Sequence, residues 1–587
     1  MALAYEDLRI APRNDVSVVA EAASLDSPEL AIPNSSDCDD LKDLSNIDDM
    51  TTFLSDIDRQ EEEQRLLRQM LDRVGHKQVS LAHATALTAP WLVDASFTQE
   101  LVNWKDAYEL IPLNRLPKNA NYIRSHAFCH IKRLTSDDSN SSLRLKTRIV
   151  LHGNEDKERT DIRKDTQAAS FTSIRILLSL AAIFHLHIAS IDIKGAYLQS
   201  GRCQRDIYVR PPNEWRQARG VAWKLLKLPY GLPDAGHQWQ IVIDEFILSL
   251  GFTVIPGIPQ LFVHFSASED PPVVLAKVTD DILIVGNPVA LALFIRDIQA
   301  SFDVGRVQYH TNMTFNGAFI SESPQGFTLD ITEPLARLHP IPIEPARRCC
   351  PLQSITTEEL SAVRSLAGSL NYIGQASCPP ATFVASAIQQ LIGRNAHVSI
   401  ILQANAMLKE LQRLPAVLHF PITDVRETYR IVAMSDASFA PSSRYGQTGL
   451  LVWFQPLATR KTDASTIKTA PTYLLDWRSV KQRRIANSSL GAEILAASLA
   501  DDVLVGTAQS LAFVLAPAEV STLLLLDSRS LYQLISSLKQ SGMDARLAAV
   551  VDRLRDSFMS AELAELGWIP RYAQLADSLT KRNPTGW

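Results

Sequence analysis

Pro272–Gly286 reads P-V-V-L-A-K-V-T-D-D-I-L-I-V-G, two apolar runs parted by Thr279, Asp280 and Asp281. Both runs have strand composition, so the stretch reads as a tight β-hairpin with adjacent carboxylates at its tip. Two carboxylates beside buried strands repel each other and desolvate poorly. A pair of divalent cations resolves that conflict; an acidic hairpin turn is the plainer alternative. Asp-Asp occurs five times in the chain, at 39–40, 48–49, 137–138, 280–281 and 501–502, and only the 280–281 pair is clamped between apolar strands.

Working outward, Phe171–Leu186 (F-T-S-I-R-I-L-L-S-L-A-A-I-F-H-L) has helical length and apolar density. The β-rich run H-I-A-S-I-D-I-K-G-A-Y-L follows, with Asp192 near its middle. A helix, a strand bearing Asp, then a hairpin with Asp-Asp is the order of a polymerase palm. The surrounding motifs are L-R-L-K-T-R-I-V (143–150), F-T-S-I-R-I-L-L-S-L-A-A, S-I-D-I-K-G-A-Y-L-Q-S, D-I-Y-V-R-P-P, K-L-L-K-L-P-Y-G-L-P-D-A-G-H-Q-W and V-T-D-D-I-L-I-V-G. Further on come F-N-G-A-F-I, R-S-L-A-G-S-L-N-Y-I and Q-L-A-D-S-L-T-K. In this order and spacing, over about residues 96–585, the chain resembles the reverse transcriptase and ribonuclease H portion of copia-type (pseudoviral) retrotransposon Pol polyproteins.

The resemblance implies an α+β multidomain chain: a right-hand polymerase (fingers, palm, thumb) followed by a ribonuclease H-like α/β domain. The expected boundaries are an acidic leader at 1–95, fingers and palm at 96–345, a helical thumb or connection at 346–425, and the ribonuclease H-like domain at 426–587. In the palm, Asp192, Asp280 and Asp281 are expected to hold two Mg²⁺ (or Mn²⁺) ions, with the Ile193 backbone carbonyl beside them. Carboxylate oxygens suit such hard cations. Tyr197 matches the family's aromatic that closes on the sugar and rejects a 2′-hydroxyl, a core aromatic being the alternative. Lys146 and Arg148 alternate with apolar residues on one strand face; the resemblance has them grip the triphosphate, otherwise they line a solvated face. Three departures stand out. Val278-Thr279 replaces an aromatic-Val pair, Asp234 replaces a Gln that contacts the incoming nucleotide, and Cys378-Pro379-Pro380 replaces Arg-Pro-Asp.

The C-terminal third repeats the logic. Y-R-I-V-A-M-S-D-A-S-F-A is a strand ending near Asp436, and Glu493 sits in the first turns of a helix. T-L-L-L-L-D is a buried strand ending in Asp527, and Asp577 lies near the C-terminus. Strand-Asp, helix-Glu, strand-Asp, helix-Asp is the order of a ribonuclease H fold, whose four acids would bind a second pair of Mg²⁺ ions. The family's Asn after the third acid is Ser528 here. Lys481, Arg483 and Arg484 precede the Glu493 helix and are expected on the phosphates of a hybrid, a nuclear-localisation tag being the alternative.

Composition bounds the rest. At 587 residues and 46% hydrophobic, the chain holds several domains. Residues 1–60 carry 14 acids and 4 bases; against a chain total of −6, residues 61–587 are left with +4. The leader reads as disordered, with one amphipathic helix over Gln60–Lys77. Six cysteines, at 38, 129, 203, 349, 350 and 378, show neither zinc-finger spacing nor a disulfide framework. Neither a signal peptide nor an apolar run of ~18 residues is visible. The expected setting is intracellular, in a cytoplasmic particle or the nucleus, without membrane. Expected partners are RNA template, DNA primer, RNA–DNA hybrid and dNTPs. Zinc-knuckle, integrase and protease motifs are not seen, which suggests the polymerase–nuclease end of a longer polyprotein or a truncated copy. The competing reading is a degenerate or domesticated element that folds and binds nucleic acid without catalysis.

Overall fold

The structure, a computed structural model, describes residues 47–75, 77–134, 142–215, 219–266, 271–309, 312–392, 396–424, 428–439, 445–457, 470–537, 544–560 and 565–581. Residues 1–46 of the acidic leader, with Cys38, lie outside them. The chain divides into two compact units: residues 1–165 with 195–242, and residues 166–194 with 243–587.

The first unit is built on a six-stranded sheet centred on Asn121–Leu134, which pairs with Ser142–Leu151 and, on its other side, with Ile207–Arg210. The expected amphipathic helix is present and longer than read, Ile47–Val74. It stops at Gly75, whose φ of +61° suits a residue without Cβ. Leu67 and Met70 are fully buried. Gln64 clamps the Leu143 backbone from both sides, donating to its carbonyl at 2.9 Å and accepting from its N–H at 2.7 Å. The helix is thus part of its own unit's core.

The second unit contains three sheets. In the first, six antiparallel strands run in the order Val304–Tyr309, His187–Ile193, Asp281–Gly286, Val273–Val278, Leu261–His264, Thr253–Val254. Helix Phe171–Phe184 packs on it, started by a capping box between Ser170 and Ser173. A four-stranded sheet follows, closed by Val417–Pro421 after a helical excursion through Thr357–Ala376, Pro379–Leu391 and Val398–Leu411. The Cys-Pro-Pro departure is structurally benign. Pro379 and Pro380 fill the first helical turn, where a missing N–H leaves no bond unmade.

The last sheet has five strands in the order Tyr473–Lys481, Gln447–Leu457, Thr428–Ser438, Val520–Leu526, Glu565–Trp568. The first three are antiparallel and the last two join in parallel. Helix Ser489–Leu515 packs on this sheet through Ile494, Ala497, Leu504 and Leu511. This helix is long and apolar enough to cross a membrane by length and composition, which corrects the expectation that no segment reaches that size. Glu493, Asp501 and Asp502 break its apolar run in sequence, so a count of consecutive apolar residues passes over it.

One hydrophobic cluster reaches every layer of the second unit, beside smaller clusters around Val432 and Trp453 and around Ala437 and Ala492. It contains Ile176 and Leu283 of the first sheet layer, Leu370 and Leu408 of the helices, and Ile431, Leu504 and Leu524 of the last. The layers that carry the two carboxylate sets therefore share a cluster. Apolar faces on every layer merge because burial is non-directional and rewards any dry contact.

Candidate active sites

The hairpin forms as read. Val273–Val278 and Asp281–Gly286 pair from Val274↔Val285 to Val278↔Asp281, leaving Thr279 and Asp280 as the two-residue loop. Thr279 holds φ +56°, rare for a β-branched residue and costing about 1–3 kcal/mol. Asp281 lies directly opposite Asp192 on the neighbouring strand. Opposite residues in an antiparallel pair share a sheet face with Cβ atoms about 5 Å apart. Ile193 N–H donates to Asp280 C=O at 3.1 Å, tying the loop to the Asp192 strand. Asp192, Asp280 and Asp281 are each half-buried.

Two supports were not visible in sequence. Gly305, on the strand at the other side of Asp192, leaves room for its carboxylate: a Cβ there would sit 2.5 Å from Asp192 Oδ2. Lys277, 1% exposed beneath the hairpin, pairs with Asp244 at 3.1 Å. Burial pulls its pKa down and Asp244 opposes the fall.

The second set converges more tightly. Asp436 and Asp527 sit at the ends of adjacent parallel strands, whose last pair is Ser435↔Leu526. Glu493 reaches them from the first turns of helix Ser489–Leu515. The ligand oxygens of Asp436, Glu493 and Asp527 all lie within 4.8 Å of one another, the group among the described residues arranged to hold a metal ion. The oxygens of Asp192, Asp280 and Asp281 do not gather to that degree. Burial first, then the Asp436 and Asp527 charges, push Glu493 up to about 8. Burial also raises Asp436, with Asp577 and Asp527 adding to the rise and Thr580 and Lys581 opposing it.

Asp577 stands on the short 3₁₀ segment Leu575–Leu579 and is held by Lys581. Thr580 Oγ1 donates to Asp436 Oδ2, and Lys581 Nζ lies 3.8 Å from the same oxygen. These two C-terminal residues were missed. The signal available was their place in the L-A-D-S-L-T-K run, four residues or fewer from an acid already singled out. Trp568, half exposed, donates its indole N–H to Asp527 C=O at 3.1 Å. Lys481, Arg483 and Arg484 are exposed beyond strand Tyr473–Lys481, with Lys481 4.5 Å from the Tyr445 ring.

The remaining residues lie in the first unit. Lys146 and Arg148 share the half-exposed face of Ser142–Leu151, while Leu145, Thr147 and Ile149 face the core. Arg148 lies 4.7 Å from the Tyr230 ring, and Tyr230 stacks obliquely on Tyr197 at 5.1 Å. Glu100 is buried nearby and its pKa is raised by that burial, against the pull of Arg148. Tyr197 is half-buried and packs on this unit's core. Asp234 is buried and ion-paired to Arg205 at 2.8 Å; the same guanidinium holds Asp156 at 2.9 Å and Glu158 at 3.3 Å.

Comparison with known proteins bears on this geometry. Residues 106–337 match the family described as reverse transcriptase (RNA-dependent DNA polymerase). The retrovirus-related Pol polyprotein from transposon TNT 1-94 of Nicotiana tabacum is 33% identical over 177 residues, 29% of this chain and 13% of that protein. The Pol polyproteins from transposons RE1 and RE2 of Arabidopsis thaliana are 27% and 24% identical, covering 41% and 62% of this chain. The chain spans only 13% to 24% of the length of these relatives. Among solved structures, the N-terminal ribonuclease H domain of Rv2228c from Mycobacterium tuberculosis, fused to maltose-binding protein, aligns at 16% identity. That alignment covers 26% of this chain and 91% of the other, with a TM-score of 0.18, too low to carry argument. Residues 106–337 thus match the reverse transcriptase family, and the chain is similar to copia-type retrotransposon Pol polyproteins.

Proposed function

We propose that this chain copies RNA into DNA and cleaves the RNA strand of the resulting hybrid. The observation that carries the polymerase reading is Asp192 opposite Asp281, with Asp280 in the hairpin loop just before Asp281, inside the span that matches the reverse transcriptase family. In this reading the first unit supplies fingers, the sheet bearing Asp192 is the palm, and helices Thr357–Ala376 through Val398–Leu411 are the thumb.

The donor sets fit divalent cations. All are carboxylate oxygens, the kind Mg²⁺ and Mn²⁺ prefer. Glu493 is held up at about 8 by burial first and by the Asp436 and Asp527 charges second, and a cation among the three oxygens would favour its ionised form. Asp192, Asp280 and Asp281 would hold one pair of ions, and Asp436, Glu493, Asp527 and Asp577 another. Bound there, such ions stabilise the attacking and leaving oxygens of an in-line displacement at phosphorus.

The chain's own residues do the rest. The Ile193–Asp280 backbone bond ties the loop to the Asp192 strand. By the family resemblance alone, Lys146 and Arg148 would meet the triphosphate of a dNTP and Tyr197 its sugar. In the nuclease, Thr580 and Lys581 orient Asp436 and Asp577, while Lys481, Arg483 and Arg484 meet the phosphates of the hybrid. The five described cysteines are free thiols, in keeping with work inside the cell.

A binder without catalysis is favoured by one observation, the Asp234–Arg205 pair where the family places a nucleotide-contacting Gln. Primer extension on an RNA template with Mg²⁺ or Mn²⁺, run beside Asp192→Asn, separates the two. Extension by the wild type and its loss in the variant support the polymerase; no extension by either supports the binder.

A further inference from the structure

Arg175 lies on the helix that feeds the Asp192 strand, and it is 2% exposed. A buried guanidinium is costly unless its donors are met. Nε donates to Leu475 C=O at 2.6 Å. Nη1 donates to Gln375 C=O at 2.6 Å and to Ala376 C=O at 2.8 Å. Nη2 donates to Thr172 Oγ1 at 3.2 Å, and that hydroxyl donates onward to Asp476 Oδ1 at 3.2 Å. The guanidinium carbon lies 3.9 Å from the Trp477 ring centroid. Trp477 Nε1 donates back to Gly374 C=O at 2.8 Å.

These bonds join three elements that the sequence separates by about 200 and 300 residues. One is helix Phe171–Phe184, which leads into the Asp192 strand. Another is the C-terminal end of helix Thr357–Ala376. The third is strand Tyr473–Lys481, which runs on through Arg483 and Arg484 to the Glu493 helix. An edge of charge with a planar fork of donors is needed to reach three carbonyls and stack on an indole at once, and lysine's point charge cannot do both. An interaction that only stabilised one layer would not need carbonyls from the other two.

Resting on the reading of both sites given above, we propose that Arg175 is a positioning residue for the pair of them. It fixes the spacing between the Asp192–Asp280–Asp281 site and the Asp436–Glu493–Asp527 site. A hybrid whose primer end occupies the first is then cut at one set distance by the second.

The test uses the full chain with Arg175→Lys and, as a gentler change that leaves the guanidinium in place, Thr172→Val. Amide hydrogen exchange is measured across the three joined elements, and RNA cut positions are mapped on a hybrid with a chain-terminated primer. The expected result is exchange about tenfold faster in 171–184, at the end of 357–376 and in 473–481 together, since orphaned carbonyls weaken all three. The single dominant cut of the wild type spreads over neighbouring positions, at temperatures where the variants remain folded. An unchanged cut position, or faster exchange confined to 171–184, overturns the proposal. A wild type that neither extends nor cuts overturns the reading of the sites themselves, and the exchange arm then still reports whether Arg175 joins the three elements.

Discussion

Replacing Glu493 by Gln should stabilise the cation-free protein, and only well above pH 5. Burial and two neighbouring acids lift Glu493 from 4.5 to about 8. Between those values the folded protein holds a proton that the unfolded chain has released. Stability is therefore complete below the unfolded value and drains away as pH rises toward the folded one, opposite in sign to a salt-bridged carboxylate. At ~1.36 kcal/mol per unit, the cost at about pH 7.5 is roughly 4 kcal/mol. Gln is neutral in both states and escapes it. Asp436, raised in the same direction, remains, so the pH slope is reduced and not abolished. For a unit of several hundred residues, with unfolding entropy near 2.1 cal/mol/K per residue, that difference raises Tm by roughly 5 °C. The assay is calorimetry in EDTA at about pH 5 and about pH 7.5, repeated with excess Mg²⁺. The variant should melt higher at the upper pH, match wild type at the lower, and lose its advantage with Mg²⁺, because a bound cation stabilises the ionised Glu. Coincident melts at the upper pH in EDTA would refute the reasoning.

Gly305→Ala would place a Cβ 2.5 Å from Asp192 Oδ2 and 3.2 Å from its backbone oxygen, so the carboxylate must turn away. Primer extension should fall about 10²-fold or more while hybrid cleavage persists, the loss being that of a misplaced charge at the reacting phosphate. Gly449→Ala is the mirror experiment. Its Cβ would meet Ala576 C=O and Thr580 Cγ2 at 2.8 Å, displacing the segment that carries Asp577, so cleavage should fall and extension persist. Tyr197→Ala should admit ribonucleotides with only a modest loss of deoxynucleotide use; unchanged discrimination, measured by competing the two in one extension reaction, would leave the ring as part of the first unit's core.

The hairpin was legible because strand composition and a two-residue gap act locally: Val278↔Asp281 is the register that V-V-L-A-K-V-T-D-D-I-L-I-V-G dictates. Asp436 and Asp527 were legible for the same reason, as acids at the ends of apolar strands. What joins them is not local. Gly305 beside Asp192, Thr580 on Asp436 and Arg175 on Leu475 are contacts across about 110 to 300 residues, and no periodicity encodes them. Arg175 reads in sequence as a charge on an apolar helix, and only the fold reveals three carbonyls around it. Asp234 read as a damaged nucleotide contact; in the structure it completes a buried cluster with Arg205 and Asp156. The cluster shared by the layers of the second unit was also hidden, since apolar faces do not announce which layer they will meet.

The central claim is that Asp192, Asp280 and Asp281 form a working polymerase site, and one measurement bears on it most directly. Wild type and Asp280→Asn, both checked for folding by circular dichroism, are given an RNA template, a DNA primer, dNTPs and Mg²⁺. The wild type should extend the primer, and the variant should be slower by about 10²–10³-fold or more, as expected when a charged group that stabilises the transition state is removed. Extension at equal rates by the two proteins would contradict the account.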